Sequence, residues 1–346
     1  MTDIHIRIED HAGRITLSRP KALNALTYEM CLAIEQALVT WRSDPRVALV
    51  IIDAEGDKAF CAGGDIADLY ATGMAGDYAY GQKFWADEYR LNYRLKTYSK
   101  PVVSFMQGFT MGGGVGIGCH GSHRIVGETS KIAMPEVGIG LVPDVGGSYI
   151  LAHAPGSVGV FLGTTAYRMD AADAIFAGFA DMFIPQSAWP DLIQKLIETG
   201  DISCIAPFKE ELGTSTLAMM QDDINALYNI NNLKELTDKT FLKDTKPHSF
   251  VTKSLATNSP LAMASALKLI RTQQANDTSF AQALAMEYRF THRAMEHGDF
   301  LEGIRAAIID KDKSPNWRQT PKTVSDTDIE TMLAPLGNDE LSLEED

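Results

Sequence analysis

The chain reads as an α/β protein that ends in a helical region, and three observations predict this. Strand–turn–helix units recur through roughly the first 150 residues. Past Tyr149 the strand signal fades and helical apolar spacing takes over. Between these parts, the stretch from Gly108 to Gly147 packs twelve glycines into forty residues. So many glycines mark backbone turns and close approaches rather than regular structure.

Ile4, Ile6 and Ile8 alternate as a strand, and His11-Ala12-Gly13 turns into a second strand over 14–17. A loop from Arg19 to Leu26 leads to Thr27, an N-cap for a helix over 28–41 with apolar positions Met30, Ala33, Ile34, Ala37, Leu38 and Trp41. Residues 47–52 form a buried strand that stops at Glu55-Gly56-Asp57. The run KAFCAGGDIADLY is a strand end and a glycine turn feeding a helix, and 78–98 is a helix carrying Glu88. A strand over 101–106 enters the glycine stretch. Further helices are predicted near 171–177, 189–199, 216–228, 260–273 and 280–294, with Ser259-Pro260 as a start signal. The expected division is a core over 1–200, a mainly helical region over 201–335 and an acidic, frayed tail over 336–346.

Composition removes several function classes. The 346 residues are 45% apolar and 22% charged, an ordinary globular balance. A net charge of −14 argues against nucleic acid and against an anionic membrane surface. An anionic ligand must therefore be held by backbone amides or by a local patch such as Arg19, Lys21 or Lys58. Cys31, Cys61, Cys119 and Cys204 are scattered, which predicts reduced thiols and neither a disulfide frame nor a zinc site. His120 and His123 lack a third ligand, so no metal is expected. The N-terminus has no apolar signal region and no run is long enough to cross a membrane, which predicts the cytosol or an organelle matrix.

Chemistry concentrates in the glycine stretch. Gly112, Gly113 and Gly114 can open a helix whose first N–H groups point outward, toward an oxygen that gains negative charge. Met134-Pro135-Glu136 and Pro143-Asp144 put two carboxylates on constrained turns. Donors for an oxyanion together with carboxylates for proton or nucleophile work make an acyl-transfer site. Gly116, Gly118 and Gly121 match a dinucleotide fingerprint, but they follow the strand–helix turn instead of forming it. No G-x-S-x-G elbow is present, and nothing marks Cys61 as a nucleophile.

KAFCAGGDI, TMGGGVGIG and MPEVGIGLVPDVGG together resemble the crotonase (enoyl-CoA hydratase/isomerase) superfamily, most closely its thioester-hydrolase branch. The resemblance implies a crotonase-like spiral of ββα units with a helical C-terminal region, and often a homo-oligomer. It implies an acyl-CoA substrate and no further cofactor, coenzyme A being part of the substrate. It places oxyanion donors on the N–H groups of Gly64 and Gly113, and substrate or catalytic roles on Glu88, Glu136 and Asp144. Backbone around Ala22, Leu23, Ala62, Asp65 and Ile66 would cradle the coenzyme A. The implied reaction is hydrolysis of a short 3-hydroxyacyl-CoA, with 3-hydroxyisobutyryl-CoA of valine degradation as the leading candidate. Glu136 would act as general base or as nucleophile. The alternatives are a hydratase/isomerase, opposed by Gly116 standing where hydratases carry a second glutamate, and a silent CoA-binding protein, opposed by the presence of Glu136 and Asp144.

Overall fold

A computed structural model of the chain describes residues 3–239 and 245–343. They sort into two compact units. The first takes the chain up to Asp65, then Arg90–Ala133 and Arg168–Ser215; the second takes Ile66–Tyr89, Met134–Tyr167 and the chain from Thr216 onward.

The first unit holds the strands: β1 Ile4–Glu9, β2 Ala12–Leu17, β3 Leu49–Ala54, β4 Ala59–Cys61, β5 Val102–Met106, β6 Phe109–Met111, β7 His123–Val126, β8 Lys131–Ala133 and β9 Met182–Phe183. β1-β2-β3-β5-β7-β9 make one sheet and β4-β6-β8 a second. β1 and β2 pair antiparallel with Ile4 opposite Leu17, and the other ladders are parallel. β3, β5 and β7 are each followed at once by a strand of the second sheet, β4, β6 and β8. This repeat is the expected spiral of ββα units.

Patterning explains the assignments. β3 and β5 are near-continuous apolar runs buried along their length, as parallel strands covered on both faces must be. On one face Leu49, Ile51, Val103, Phe105 and Ile125 pack with Leu192, Leu196 and Trp189 of the helix Trp189–Thr199. Trp189 satisfies its own N–H on the Ile184 carbonyl at 2.9 Å. The helix expected over 28–41 spans Tyr28–Arg42, capped by the Thr27 hydroxyl accepting from the Met30 N–H.

The second unit is helical, with Thr216–Leu227, Lys246–Thr257, Pro260–Asn276 and Phe280–His297 as its longer segments. Ser259 and Ser279 cap the last two, the second through a reciprocal box with Gln282. Several helices escaped the sequence reading, among them Val158–Thr165 and Lys246–Thr257. Val158–Thr165 is buried all round, so it has no polar face to give it periodicity. Lys246–Thr257 has only a sparse apolar stripe of Pro247, Val251 and a few small residues. The acidic tail does not fray where it is described. Glu340 accepts from Arg289 at 2.6 Å and from the Leu336 N–H at 2.8 Å, and Leu341 is buried. Residues 344–346 of that tail lie outside the described residues.

Gly114 shows why the glycines are required. A Cβ there would collide with the carbonyl oxygen of Cys61 at the end of β4. That neighbour is backbone and cannot rotate away. Gly114→Ala should therefore cost about 1–3 kcal/mol through overpacking, measured as a lower urea midpoint with an unchanged slope. An unchanged midpoint would show that the helix and β4 can move apart freely.

Candidate active site

The predicted donors arise from two turns in the first unit. β4 and β6 are parallel neighbours, with Cys61 opposite Thr110, so their C-terminal ends deliver both turns at one end of the second sheet. After β4, the Leu26 N–H donates to the Gly63 carbonyl at 2.9 Å and the Asp65 N–H to the Leu26 carbonyl at 2.8 Å. Such a parallel bridge passes over the N–H of Gly64 and leaves it outside the ladder. After β6, Gly112 takes φ +50° and caps the helix Gly113–Gly118. The first helical bonds come from Val115 and Gly116 to the Gly112 carbonyl, so the Gly113 N–H has no partner in the helix.

The same unit holds four of the five residues expected to cradle the ligand, Ala22, Leu23, Ala62 and Asp65. Ala62 donates to the Leu23 carbonyl at 3.0 Å, tying the Ala22–Leu23 loop to the first glycine turn. Leu23 and Asn24 both take left-handed φ, and the buried Asn24 amide donates to the Glu55 and Ala59 carbonyls. A cavity of about 260 Å³ opens beside this loop, lined in part by Lys21 and Lys58. Arg19, the third expected cation, is already paired with Asp3 and Asp65. Ile66 belongs to the second unit, where it precedes the helix Ala67–Met74.

The expected carboxylates meet in the second unit. Glu88, Glu136 and Asp144 are 3%, 4% and 5% exposed. The exposure of Glu88 decides its reading: it is a buried group and not a solvated one. Glu136 opens a short 3-10 turn after Pro135, and its Oε2 is buried without a partner. Asp144 Oδ2 accepts from the Tyr89 hydroxyl at 2.8 Å, and its carbonyl accepts from the Gly147 N–H at 2.6 Å.

Burial dominates the electrostatics. It pushes Glu88 well above the usual carboxylate range, and the neighbouring Asp144 charge pushes further. Glu136 is raised for the same two reasons, with smaller pushes from Glu287 and Glu88. Burial lifts Asp144 to about 7, against the pull of the Tyr89 and backbone hydrogen bonds. Glu136 and Asp144 titrate as a pair, both raised by burial, and the pair gives up its first proton as pH rises through about 7. The donors on Asp144 favour charge there, while the bare Oε2 of Glu136 favours its neutral form.

Sequence reasoning missed the supporting residues. Glu287 is fully buried and accepts from the Gly146 N–H at 2.8 Å, the Ser148 N–H at 3.0 Å and the Ser148 hydroxyl. Gln273 donates to that hydroxyl at 2.7 Å. A signal for Glu287 existed: Phe280, Ala283, Leu284, Glu287, Thr291 and Ala294 share one helical stripe, and a carboxylate at a core position is unusual. Tyr89 follows Glu88 without any distinguishing mark.

The enoyl-CoA hydratase/isomerase family model matches residues 12–333 of the chain. The chain belongs to this family. A curated relative from Gallus gallus, named 3-hydroxyisobutyryl-CoA hydrolase, mitochondrial, is 36% identical over 99% of the chain and 91% of its own length. A crystal structure of an enoyl-CoA hydratase from Rhodobacter sphaeroides 2.4.1 superposes with a TM-score of 0.95 at 53% identity, covering 99% of this chain and 100% of that one. A carnitinyl-CoA dehydratase from Mycobacterium thermoresistibile gives 0.94 at 36% identity, with both chains fully covered. The expected crotonase fold is thus shown, and this family member carries the acid cluster just described.

The raised acids make stability fall as pH rises. Asp144 titrates near 3.8 when unfolded and about 7 when folded, so the folded state holds its proton more tightly. That contribution is complete below about pH 4 and is lost on passing through pH 7. Asp144→Asn removes the dependence. Its melting temperature relative to the unaltered protein should rise by a few degrees between pH 4 and pH 8. A constant difference would show that Asp144 is not held neutral by burial.

Proposed function

We propose that this family member hydrolyses the thioester of a short 3-hydroxyacyl-CoA, with 3-hydroxyisobutyryl-CoA the leading candidate, as in valine degradation. The Glu136–Asp144 pair carries the reading: two buried carboxyls, one held by the Tyr89 hydroxyl and the other with a bare oxygen. The names of relatives 34–38% identical over nearly the whole chain support the same substrate.

The thioester carbonyl becomes an oxyanion in the tetrahedral state, and the Gly64 and Gly113 N–H groups are the donors for it. The singly ionised pair supplies both halves of the proton chemistry. Glu136 passes its proton to Asp144 and, as carboxylate, either takes a proton from the attacking water or attacks the carbonyl itself to give an anhydride that water then cleaves, restoring Glu136. The C–S bond then breaks and protonated Asp144 returns the proton to the leaving thiolate. Glu88 accepts from the substrate hydroxyl. Lys21 and Lys58, beside the Ala22–Leu23 loop, meet the coenzyme A phosphates. No cofactor beyond the substrate is required by these steps, and they suit a matrix or cytosolic setting.

The Rhodobacter sphaeroides structure, titled enoyl-CoA hydratase, favours a second reading. Water addition to a double bond needs two carboxylates on one water, and the second hydratase position is Gly116 here. That residue is buried in the helix Gly113–Gly118 and offers no acid. Thiol release and loss of enoyl absorbance, followed side by side, separate the readings. The protein should release coenzyme A from 3-hydroxyisobutyryl-CoA and leave crotonyl-CoA unchanged; efficient hydration would reverse the assignment. Isobutyryl-CoA leaves an acceptor unpaired, so its kcat/KM should be about ten- to a hundredfold lower.

Glu136→Gln keeps the shape and removes the base or nucleophile. Turnover should fall at least about a thousandfold while acyl-CoA binding survives. In the unaltered protein kcat/KM should rise with pH through about 7, as the pair loses its first proton. A flat profile from pH 5 to 9 would show that the pair does not set the rate.

A further inference from the structure

We infer that Tyr89 and Glu287 are positioning residues for Asp144, Tyr89 by occupying its Oδ2 and Glu287 by holding the strained turn that Asp144 begins. The inference rests on the thioesterase reading for its kinetic consequence, and on geometry alone for its structural one.

The turn needs holding. Val145, directly after Asp144, sits at φ +51°, a left-handed conformation that a β-branched residue adopts only under strain. Gly146 follows at φ +77°. Two such residues in succession direct the N–H groups of Gly146 and Ser148 to one side, and the Glu287 carboxylate receives both. It also receives the Ser148 hydroxyl, which Gln273 orients from the helix Pro260–Asn276. Strain of this kind persists only where the surroundings over-determine the backbone, and Glu287 supplies three of the constraints.

Tyr89 sets which oxygen of Asp144 works. Its hydroxyl is fully buried and donates to Oδ2 at 2.8 Å, with a longer contact to Thr291 at 3.4 Å. The proton that Asp144 takes from Glu136 and gives to the thiolate therefore travels through Oδ1. The groups facing Asp144 are Glu88 and Tyr89 from the helix Tyr78–Thr97, Glu136 from its own turn, and Glu287 from the helix Phe280–His297.

Tyr89→Phe and Glu287→Gln test the two halves. Tyr89→Phe keeps the ring against Tyr288 and removes a donor to the carboxylate. It should lower kcat about tenfold with KM within twofold, and move the rising limb of the pH profile up by about one pH unit. A packing defect alone would lower the rate without moving the limb. Infrared titration of the Asp144 carboxyl, taken as the difference from Asp144→Asn, reads the same shift without substrate. Glu287→Gln turns an amide N–H₂ toward a backbone N–H and so breaks at least one of the three bonds. Hydrogen exchange in the peptide spanning 144–148 should quicken at least tenfold, with kcat down about ten- to a hundredfold. If Glu287→Gln does not fold, Ser148→Ala carries the test, with the same direction and a smaller change. An unmoved Asp144 titration removes Tyr89 from the proposal, and unchanged exchange removes Glu287. If the unaltered protein releases no thiol from any acyl-CoA, the thioesterase reading fails, while infrared and exchange still decide the positioning.

Discussion

The constraint on which the second unit depends is the burial of four carboxyl groups, Glu88, Glu136, Asp144 and Glu287, among one another. The charges that act on Glu136 are those of the other three acids. Ionising a buried acid carries a penalty of several kcal/mol, so protons are retained well above the usual carboxylate range. Hydrogen-bond donors pull these values back without setting their order. Asp144 has the Tyr89 hydroxyl and a backbone bond and is lifted only to about 7, whereas Glu287 reaches about 8 despite three donors. Glu136, with one oxygen bare, is raised well above the usual carboxylate range by burial and then by the Asp144 charge. Burial leads at every one of these acids, and the donors only temper it at Asp144 and Glu287.

On the proposed reading the first unit meets a different demand, that of binding a developing anion in a chain of net charge −14. Backbone N–H groups can do this without adding a side chain. Parallel pairing of β4 and β6 brings two turns to one end of a sheet, and Gly112 at φ +50° starts a helix whose first donors stay free. The arrangement demands glycine where strand and helix touch, as at Gly114 against Cys61. A donor built this way needs no ordering of a long side chain at the moment of reaction.

Legibility in the sequence followed period and local chemistry. The helix over 28–41 was readable because Met30, Ile34, Leu38 and Trp41 fall on one stripe and Thr27 caps it. The start at Ser259-Pro260 was readable for the same kind of reason. Val158–Thr165 was not, since a helix buried on every side has no amphipathic period. In the site, Glu136 and Asp144 announced themselves through flanking prolines and glycines. Glu287 and Ser148 lie 139 positions apart, and their contact is a property of tertiary packing. Burial of Glu88 was likewise invisible on a helix rich in charge, because the stripe it shares with Trp85 and Tyr89 sits among lysine, arginine and aspartate.

Grip and charge oppose each other around Asp144. Glu287 holds the Val145–Ser148 backbone best as a carboxylate, since a carboxylate can accept from all three donors at once. That same negative charge makes an ionised Asp144 less favourable, and the Asp144 charge in turn raises Glu287. A neutral Glu287 relieves the repulsion but must find an acceptor for its own proton, and its neighbours Gly146 N–H and Ser148 N–H are donors. The Ser148 hydroxyl is the group that can reverse its role, because Gln273 already donates to it and a hydroxyl both gives and accepts. The Gln273–Ser148–Glu287 chain can thus keep the strained turn closed in either protonation state. On the proposed mechanism, this would let Asp144 gain and lose a proton during turnover without releasing the backbone that aims it.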